Sequence, residues 1–385
     1  MRIRGSARSL IAAVLVAAVL LTGAPAAAAD TVRQQEWWLD ALQVVKAQQL
    51  AKGDGVVVAV VDTGVDSGQP DLAGALLPGA GTNGVRSDKG WEDPDGHGTQ
   101  MATVLAGRGG DGGLHMLGIA PHAKILPVAI PIGERSAAGG STRGDLAEPV
   151  RYAADHGAKI INLSFALADD TPKADEQAAI AYARQKGAVL VAAGGNRPQG
   201  NDHVPLPARY PGVLTVSGTN RDGSAWEGSI ADPKVDIAAP AQDIIGAAPK
   251  ARYPSGFAVG SGTSGSAAIV SGVLALVWSK YPQLDADAVV DRVLRTAQDK
   301  GPPGRDDQFG AGLVDPYAAL TAPLSEPTGE AGLAPAPGPP ASAGPPVLPG
   351  PPVRRVVLVG AGALLVALVL FLGVARPLLR ASRRR

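Results

Sequence analysis

The feature that most constrains the fold is a series of short apolar runs in which polar residues do not alternate. They are rich in β-branched residues, are bounded mainly by Gly, Asp or Asn, and lie at residues 56–61, 124–130, 159–165, 188–193, 213–218 and 235–241. Runs of this kind are typical of strands that are buried on both faces. Helical patterns separate some of them, at residues 144–157 and 174–187, and each ends at a glycine. Alternating strands and helices predict an α/β fold with a parallel sheet and right-handed crossovers.

Unusual polar residues stand where three of these predicted strands end. Asp62 follows the run at 56–61, Ser164 lies at the end of the third run, and Asn196 follows two glycines after the fourth. In open parallel sheets the working residues gather at the carboxyl ends of the strands. Two more candidates, His97 and Ser264, stand at the starts of predicted helices. We therefore expect these five residues to lie close together.

The stretch "GSGTSGSAAIVSG" at residues 260–272 has two interpretations. Gly/Ser-rich segments are commonly flexible linkers. Alternatively, one serine is a nucleophile, and Ser264 is the one that follows "GT" at a helix start, where the helix dipole and backbone N–H groups favour developing negative charge. Ser261 and Ser266 lie beside it without that setting.

A serine nucleophile needs a base, a group that orients the base, and donors for the oxyanion. His97 is the candidate base and later the acid, Asp62 the group that orients it, and Asn196 the side-chain oxyanion donor beside the Ser264 backbone N–H. Taken singly, Asp62 is more typical of an Asx-turn that closes a strand, and a turn after Gly195 is the alternative for Asn196. The other histidines lack a comparable setting and are predicted to be surface or structural residues: 115, 122, 156 and 203.

The order Asp62, His97, Ser264 within "DTG", "HGT" and "GTS", together with "GGN", resembles the subtilisin-like serine proteases, or subtilases. The resemblance runs from about Gly53 to Leu320. It implies a three-layer subtilisin-like fold, a peptidase domain at 53–322, and an endopeptidase that works through an acyl-enzyme. The chain departs from the family pattern at three positions, where it has Gln100, Gly265 and Ala268 in place of a histidine, a bulky residue and a proline.

The resemblance also implies where a peptide substrate binds. Family members hold an extended peptide as an added strand, and the matching segments here are 136–142 and 164–166, with 193–195 across the primary pocket. The candidate substrate-binding residues are Gly139, Gly140, Ser164, Phe165, Ala166, Ala193, Gly194 and Gly195. Because Phe165 and Ala166 stand where relatives often have smaller residues, we expect a narrow, apolar primary pocket.

Both ends of the chain carry membrane signals. A basic start, a short apolar run at residues 10–21 and small residues up to Ala29 predict a secretory signal peptide at 1–29, with a permanent anchor as the alternative. Residues 356–375 are uncharged and long enough to cross a bilayer as a helix. More arginines follow this helix, at 376–385, than precede it, which predicts a cytoplasmic tail and a catalytic domain on the extracellular side of the cell membrane.

A proline-rich linker separates the predicted membrane helix from the peptidase domain. Eleven of the thirty residues at 323–352 are proline. Such a segment forms no core and is expected to be an extended spacer.

Within the subtilases, the chain most resembles the mycosins in its signal peptide, linker, anchor and extension at 30–52. Mycosins are membrane-anchored actinobacterial subtilases associated with type VII secretion. The extension contains Trp37, Trp38, Leu39 and Leu42 and is expected to pack on the catalytic domain. The resemblance implies a membrane complex of type VII secretion as a partner besides the protein or peptide substrate. A generic anchored subtilase, and a weakly active or inactive scaffold of a secretion complex, are the alternatives.

Composition excludes several other classes. Charge is balanced, with 35 basic and 35 acidic residues, so no bulk field favours nucleic acid. The absence of cysteine excludes disulfides and thiol catalysis, and no "HExxH" pattern indicates a metallohydrolase. No cofactor is expected: calcium often stabilises subtilases, but the loop carboxylates form no recognisable site and are interpreted as solvated charges, namely Asp66, Asp88, Asp93, Asp95 and Asp306.

Overall fold

Seven parallel strands form the central sheet. The computed structural model describes residues 31–133, 141–142, 144–197 and 202–324. In sheet order the strands are β2 (Ala80–Gly81), β3 (Lys124–Ala129), β1 (Val57–Asp62), β5 (Ile160–Leu163), β7 (Val189–Ala193), β8 (Val213–Thr219) and β9 (Ile237–Pro240). Neighbouring strands all pair in parallel. The predicted α/β fold with a parallel sheet is confirmed, and each of the six apolar runs overlaps one of these strands.

Helices cover both faces of the sheet. Successive residues of β1 enter opposite apolar clusters, since Val58 and Val60 belong to one and Ala59 and Val61 to the other. The first cluster includes α4 (His97–Ala106), α7 (Thr263–Lys280), α8 (Ala286–Arg295) and α9 (Pro316–Thr321); the second includes α5 (Ala147–Asp155) and α6 (Ala174–Gln185). Burial on both faces explains why the strands lack polar alternation.

Two short strand pairs lie outside the central sheet. β4 (Ser141–Thr142) pairs in parallel with β6 (Ala166–Leu167), directly after Ser164 and Phe165. β10 (Ile244–Ala247) and β11 (Phe257–Gly260) form an antiparallel pair just ahead of α7. The Gln100 side chain donates from Nε2 to the carbonyl oxygens of Ile244 (3.1 Å) and Ala258 (3.3 Å). The residue that replaces the family's second histidine therefore joins α4 to this hairpin.

The N-terminal segment packs against the sheet domain as three short helices, α1 (Val32–Gln35), α2 (Trp37–Ala41) and α3 (Val44–Gln48). Trp38 is fully buried in the core. The Trp37 indole N–H donates to the Gln242 carbonyl oxygen at 3.0 Å. The segment is therefore attached through both apolar burial and hydrogen bonds.

Glu36 is a buried carboxylate in this attachment. It accepts hydrogen bonds from the Leu117 backbone N–H and from the Arg33 Nε, each at 2.8 Å. Burial raises the pKa of Glu36 to about 7, although the Arg33 charge acts in the opposite direction.

Within the described part of the chain, none of the helices combines the length and the apolar character needed to span a bilayer. The predicted signal peptide (1–29), membrane helix (356–375) and tail (376–385) lie outside the described residues, as does the linker at 323–352 apart from its first two residues.

Candidate active site

Asp62 is the last residue of β1, a central strand of the sheet. Its side chain is fully buried, and Oδ1 accepts a hydrogen bond from the Thr63 backbone N–H at 2.8 Å. The paired strands β3 and β5 flank this end of β1 through Ala129, opposite Asp62, and Leu163, opposite Val61. A carboxylate here is fixed by the sheet on both sides.

His97 begins helix α4 and faces Asp62. Its Nδ1 lies 2.8 Å from both carboxylate oxygens of Asp62. Because a carboxylate only accepts, this contact assigns the ring hydrogen to Nδ1 in the neutral imidazole and makes Nε2 the basic nitrogen. The His97 ring is nearly buried, with 9% of its side-chain area exposed, which limits its movement.

The glycine after His97 lets helix α4 approach the Asp62 loop closely. A Cβ at Gly98 would lie 2.0 Å from the Gly64 carbonyl oxygen, so a side chain there is excluded. The Gly98 N–H donates to the Thr63 Oγ1 at 3.0 Å. The "DTG" and "HGT" segments are therefore in direct contact.

Ser264 is the second residue of helix α7. Its hydroxyl donates to the Ser164 carbonyl oxygen at 3.0 Å, and the Ser164 hydroxyl donates back to the Ser264 carbonyl oxygen at 3.0 Å. The described residues show no hydrogen bond between Ser264 and His97. The sheet edge thus carries the predicted acid–base pair and the predicted serine, but the serine hydroxyl is turned toward Ser164.

The departure at Gly265 has a local reason. A Cβ on Gly265 would lie 3.1 to 3.4 Å from the side chain of Ile244 in β10. The isoleucine occupies the space into which a bulky residue after the serine would project, so the helix start is packed without one.

Asn196 follows β7 and is held by the residue before the serine. Its Oδ1 accepts from the Thr263 backbone N–H (3.1 Å) and from the Thr263 hydroxyl (3.0 Å). These bonds fix the position of Oδ1, so that the N–H donors on Nδ2 lie on the side of the amide away from Thr263. Gly195 has φ +93°, and a Cβ there would lie 2.6 Å from Pro205, which explains the glycine before Asn196.

A small cavity lies beside Ser264 and Asn196. Besides these two residues it is lined by Phe165, Ala166, Ala193, Gly195 and Thr263. Measured as the space open to the centre of a water molecule, its volume is about 10 Å³, which is room for about one water.

Among the other predicted substrate-binding residues, Ser164 contacts Ser264, and Gly194 joins β8 through its N–H to the Val216 carbonyl oxygen at 2.8 Å. Gly139 and Gly140 lie outside the described residues.

Asp93 was missed by sequence reasoning. The sequence pattern predicts a solvated loop charge, but Asp93 is buried, with 6% of its area exposed. Its carboxylate accepts from Gly96 N, Thr99 N and the Thr99 hydroxyl at 2.6 to 2.8 Å. Burial raises the pKa of Asp93, against the effect of these hydrogen bonds. Its position four residues before His97 was the available signal.

The remaining histidines have other partners. His115, His122 and His203 pair with the carboxylates of Asp71, Asp54 and Asp170. His156 contacts the Tyr152 carbonyl oxygen. Within the described residues, no group of three or more His, Asp or Glu side chains could hold a metal ion.

Comparison with known proteins agrees with this geometry. The model of the subtilase family matches residues 53–312. Mycosin-1 from Mycolicibacterium smegmatis is 36% identical over 338 residues, which cover 74% of this chain and 72% of that protein. The crystal structure of MycP1 from Mycobacterium smegmatis superposes with a TM-score of 0.63 at 30% identity, over 79% of this chain and 88% of that one.

A chain in the structure of an intact ESX-5 inner membrane complex also superposes, with a TM-score of 0.64 at 30% identity over 91% of both chains. The order of strands, the site at the sheet edge and these matches lead to one assignment. The chain belongs to the subtilase family of subtilisin-like serine proteases, and it is related to the mycosins.

Proposed function

We propose that this protein is a membrane-anchored, extracytoplasmic serine endopeptidase in which Asp62, His97 and Ser264 form the catalytic triad. The observation that carries the proposal is the contact of His97 Nδ1 with both oxygens of the buried Asp62. Thr263, directly before the serine, contacts the amide that is to bind the oxyanion. One contact joins the base to its carboxylate and the other joins the donor to the residue before the nucleophile, and the helices of His97 and Ser264 pack against each other.

Catalysis begins with proton transfer. His97 Nε2 takes the proton of the Ser264 hydroxyl while Oγ forms a bond to the carbonyl carbon of the substrate. Asp62 remains ionised and stabilises the imidazolium through Nδ1–H. His97 then donates this proton to the leaving amine as the C–N bond breaks, and a water molecule repeats the sequence on the acyl-enzyme.

Before attack, the serine hydroxyl has to leave the Ser164 carbonyl oxygen. Rotation about the Cα–Cβ bond of Ser264 would break this hydrogen bond, and side-chain rotamers exchange rapidly. Catalytic hydrogen bonds are often formed only in the complex with substrate. A peptide N–H that takes over the Ser164 carbonyl would release the hydroxyl toward His97.

The oxyanion is stabilised by Asn196 Nδ2 and the Ser264 backbone N–H. Thr263 donates two hydrogen bonds to Asn196 Oδ1. The Nδ2 group on the opposite side of the amide is then available to donate to the oxyanion. A donor that is already oriented stabilises developing charge without reorganisation.

The substrate is a peptide with a small apolar residue before the scissile bond. The cavity beside Ser264 has room for about one water, and Phe165 forms one of its walls. A long basic or aromatic side chain does not fit without movement of Phe165. Ser164, Ala166, Ala193, Gly194 and Gly195, with Gly139 and Gly140, would line the binding groove.

The cellular setting follows from the two ends of the chain and from its relatives. Cleavage of the signal peptide at 1–29 and anchoring by 356–375 would hold the peptidase domain outside the membrane on the linker at 323–352. Relatives include MycP1 from the ESX-1 type VII secretion system and a chain of an ESX-5 inner membrane complex. We therefore place this protein with a type VII secretion complex.

The activity is tested by labelling the full-length protein in membranes with a fluorophosphonate probe. The wild type should be labelled, and Ser264→Ala should not. Ser261→Ala is the matched control, because this exposed serine lies in the same loop and its hydroxyl contacts Asp243; it should label like the wild type. A folded wild-type protein that stays unlabelled would contradict the proposal.

A second candidate function is a scaffold that stabilises the secretion complex and cuts little. The turn of the Ser264 hydroxyl toward Ser164 favours it, as does the likeness to a chain of a membrane complex. The two are separated by comparing the exported proteome of strains with wild type, Ser264→Ala and no protein. A defect of Ser264→Ala supports proteolysis, whereas a defect seen only on deletion supports the scaffold.

A further inference from the structure

Asp93 is a buried carboxylate outside the triad, and its partners bracket His97. Oδ1 accepts from the Gly96 backbone N–H at 2.7 Å, directly before the histidine. Oδ2 accepts from the Thr99 backbone N–H at 2.8 Å, two residues after it. One side chain thus holds the backbone on both sides of the candidate base.

The Thr99 hydroxyl extends this arrangement to the loop of Asp62. It donates to Asp93 Oδ2 at 2.6 Å and accepts from the Asp66 backbone N–H at 2.9 Å. A link therefore runs from Asp93 through one hydroxyl to the segment that follows Asp62. It acts beside the contact between Gly98 and Thr63.

Packing also restricts the backbone around His97, in addition to these hydrogen bonds. Gly96 has φ +98°, and a Cβ there would lie 2.9 Å from the Tyr253 ring. Helix α4 starts at His97 itself, so the free N–H groups of its first turn need acceptors from outside the helix. Asp93 supplies the acceptor for Thr99, the third residue of the helix.

The hydrogen-bond donors to Asp93 are all neutral: two backbone N–H groups, the Thr99 hydroxyl and the Thr63 hydroxyl. The Arg252 guanidinium interacts with it only through its charge. Burying a carboxylate among neutral donors costs free energy, so a role in stability alone gives little reason for it. A carboxylate accepts all of these hydrogen bonds at once, which a neutral amide does not, since one side of the amide only donates.

We propose that Asp93 is a positioning residue that fixes the backbone on both sides of His97 and so keeps the imidazole aligned between Asp62 and Ser264. The inference rests on the proposed triad. Loss of the Asp93 side chain should slow proton transfer from Ser264 without weakening the binding of a fluorophosphonate probe. Displacements of about 1 Å at a catalytic group cost about 100-fold in rate.

The test measures saturation kinetics of fluorophosphonate labelling with the full-length protein in membranes, per folded molecule. The maximal rate and the half-saturating concentration are obtained separately. Asp93→Ala should lower the maximal rate about 100-fold and change half-saturation less than about threefold. Asp93→Asn should lose less, about 10-fold, because its oxygen still accepts one of the bonds.

The matched control is Asp236→Asn. Asp236 is similarly buried, at 8% exposed, and accepts from the Thr215 backbone N–H at 2.9 Å. It differs from Asp93 in its ion pairs with Lys234 and Arg305, and it contacts no triad loop. This variant should be destabilised and keep the wild-type labelling rate per folded molecule. Equal labelling rates for folded Asp93→Ala and Asp236→Asn would overturn the inference.

If Asp93→Ala does not fold, two substitutions of Thr99 test the positioning role of Asp93 instead. Thr99→Ser keeps the hydroxyl and should label like the wild type, whereas Thr99→Val removes it and should label about 10-fold more slowly. Equal rates for the two overturn the link. A wild-type protein that is not labelled overturns the proposed function as well, while a labelled wild type with an unaffected Asp93→Ala overturns this inference alone.

Discussion

Two Asp–His pairs, each joined through the histidine Nδ1, serve different regions of this molecule. His97 Nδ1 lies 2.8 Å from Asp62, and His115 Nδ1 lies 2.5 Å from Asp71. In both pairs the carboxylate is buried and also accepts a backbone N–H, from Thr63 in the first pair and Met116 in the second.

The surroundings of the two histidines differ. The His97 ring is nearly buried at the start of α4, which packs against α7, the helix of Ser264. The His115 side chain is 42% exposed and lies beside the N-terminal segment, where Arg33 donates to its carbonyl oxygen at 3.3 Å. An Asp–His contact alone therefore does not identify a catalytic base. What distinguishes His97 is that the candidate serine and the candidate oxyanion donor lie at the same sheet edge.

Paired substitutions test this contrast most strongly. Asp62→Asn should lower kcat about 10⁴-fold, because the amide no longer holds the His97 hydrogen on Nδ1. Asp71→Asn should leave kcat per folded molecule within about threefold and lower the free energy of unfolding by about 1–3 kcal/mol through its weakened hydrogen bonds. Peptide hydrolysis and urea unfolding measure the two effects.

Two results would contradict the assigned difference between the two Asp–His pairs. If Asp71→Asn lost activity as strongly as Asp62→Asn while remaining folded, His115 would belong to the reaction. If Asp62→Asn kept more than about a tenth of wild-type kcat, His97 would not be oriented by Asp62.

Removal of the oxyanion donor should have the next largest effect. Asn196→Ala should lower kcat about 10²- to 10³-fold with little change in KM, because the amide binds charge that exists only in the transition state. Asn220→Ala is the control, since this asparagine bonds locally to Ser224 and Ala225. A loss that appears mainly in KM would argue against an oxyanion role.

The positions of the five site residues could be predicted from the sequence because each has a local signal. Asp62 and Ser164 end apolar runs, and parallel strands bring their carboxyl ends to one edge. Asn196 follows two glycines, of which Gly195 requires positive φ. His97 begins α4 and Ser264 is the second residue of α7, so both lie at helix starts as expected.

Burial and side-chain rotation could not be predicted in this way. Asp93 looks like Asp66 or Asp88 in the sequence, and only the packing of Gly96 and Thr99 around it makes it a buried acceptor. The direction of the Ser264 hydroxyl depends on Ser164, which is a hundred residues away in the chain. Contacts of this range leave no local pattern.

Enlarging the cavity beside Ser264 should shift specificity. With peptide nitroanilides, the wild type should cleave after alanine in preference to phenylalanine, and Phe165→Ala should move the ratio of kcat/KM toward phenylalanine about 10-fold. Phe165→Leu keeps most of the side-chain volume and should shift it less. A wild type that strongly prefers lysine or arginine at this position would exclude the narrow apolar pocket.

The smallest effect on turnover is expected at the N-terminal attachment beside His115. Burial raises the pKa of Glu36 from 4.5 to about 7, so between these values the folded state keeps a proton that the unfolded chain releases. The stabilisation is complete below pH 4.5 and is lost as the pH rises through 7. Glu36→Gln, which stays neutral, should lack this loss, so that the wild type loses about 2 kcal/mol relative to it between pH 5 and pH 8.

Urea unfolding at the two pH values, with tryptophan fluorescence as the probe, measures this difference. Glu92→Gln is the matched control, because Glu92 is an exposed glutamate, and its difference from the wild type should stay constant with pH. Hydrolysis rates of Glu36→Gln should equal those of the wild type at pH 8, since Glu36 contacts Arg33 and Leu117 rather than the triad. A wild-type stability that stays constant relative to Glu36→Gln over this interval would mean that the Arg33 charge outweighs burial, and that Glu36 is ionised in the folded protein throughout.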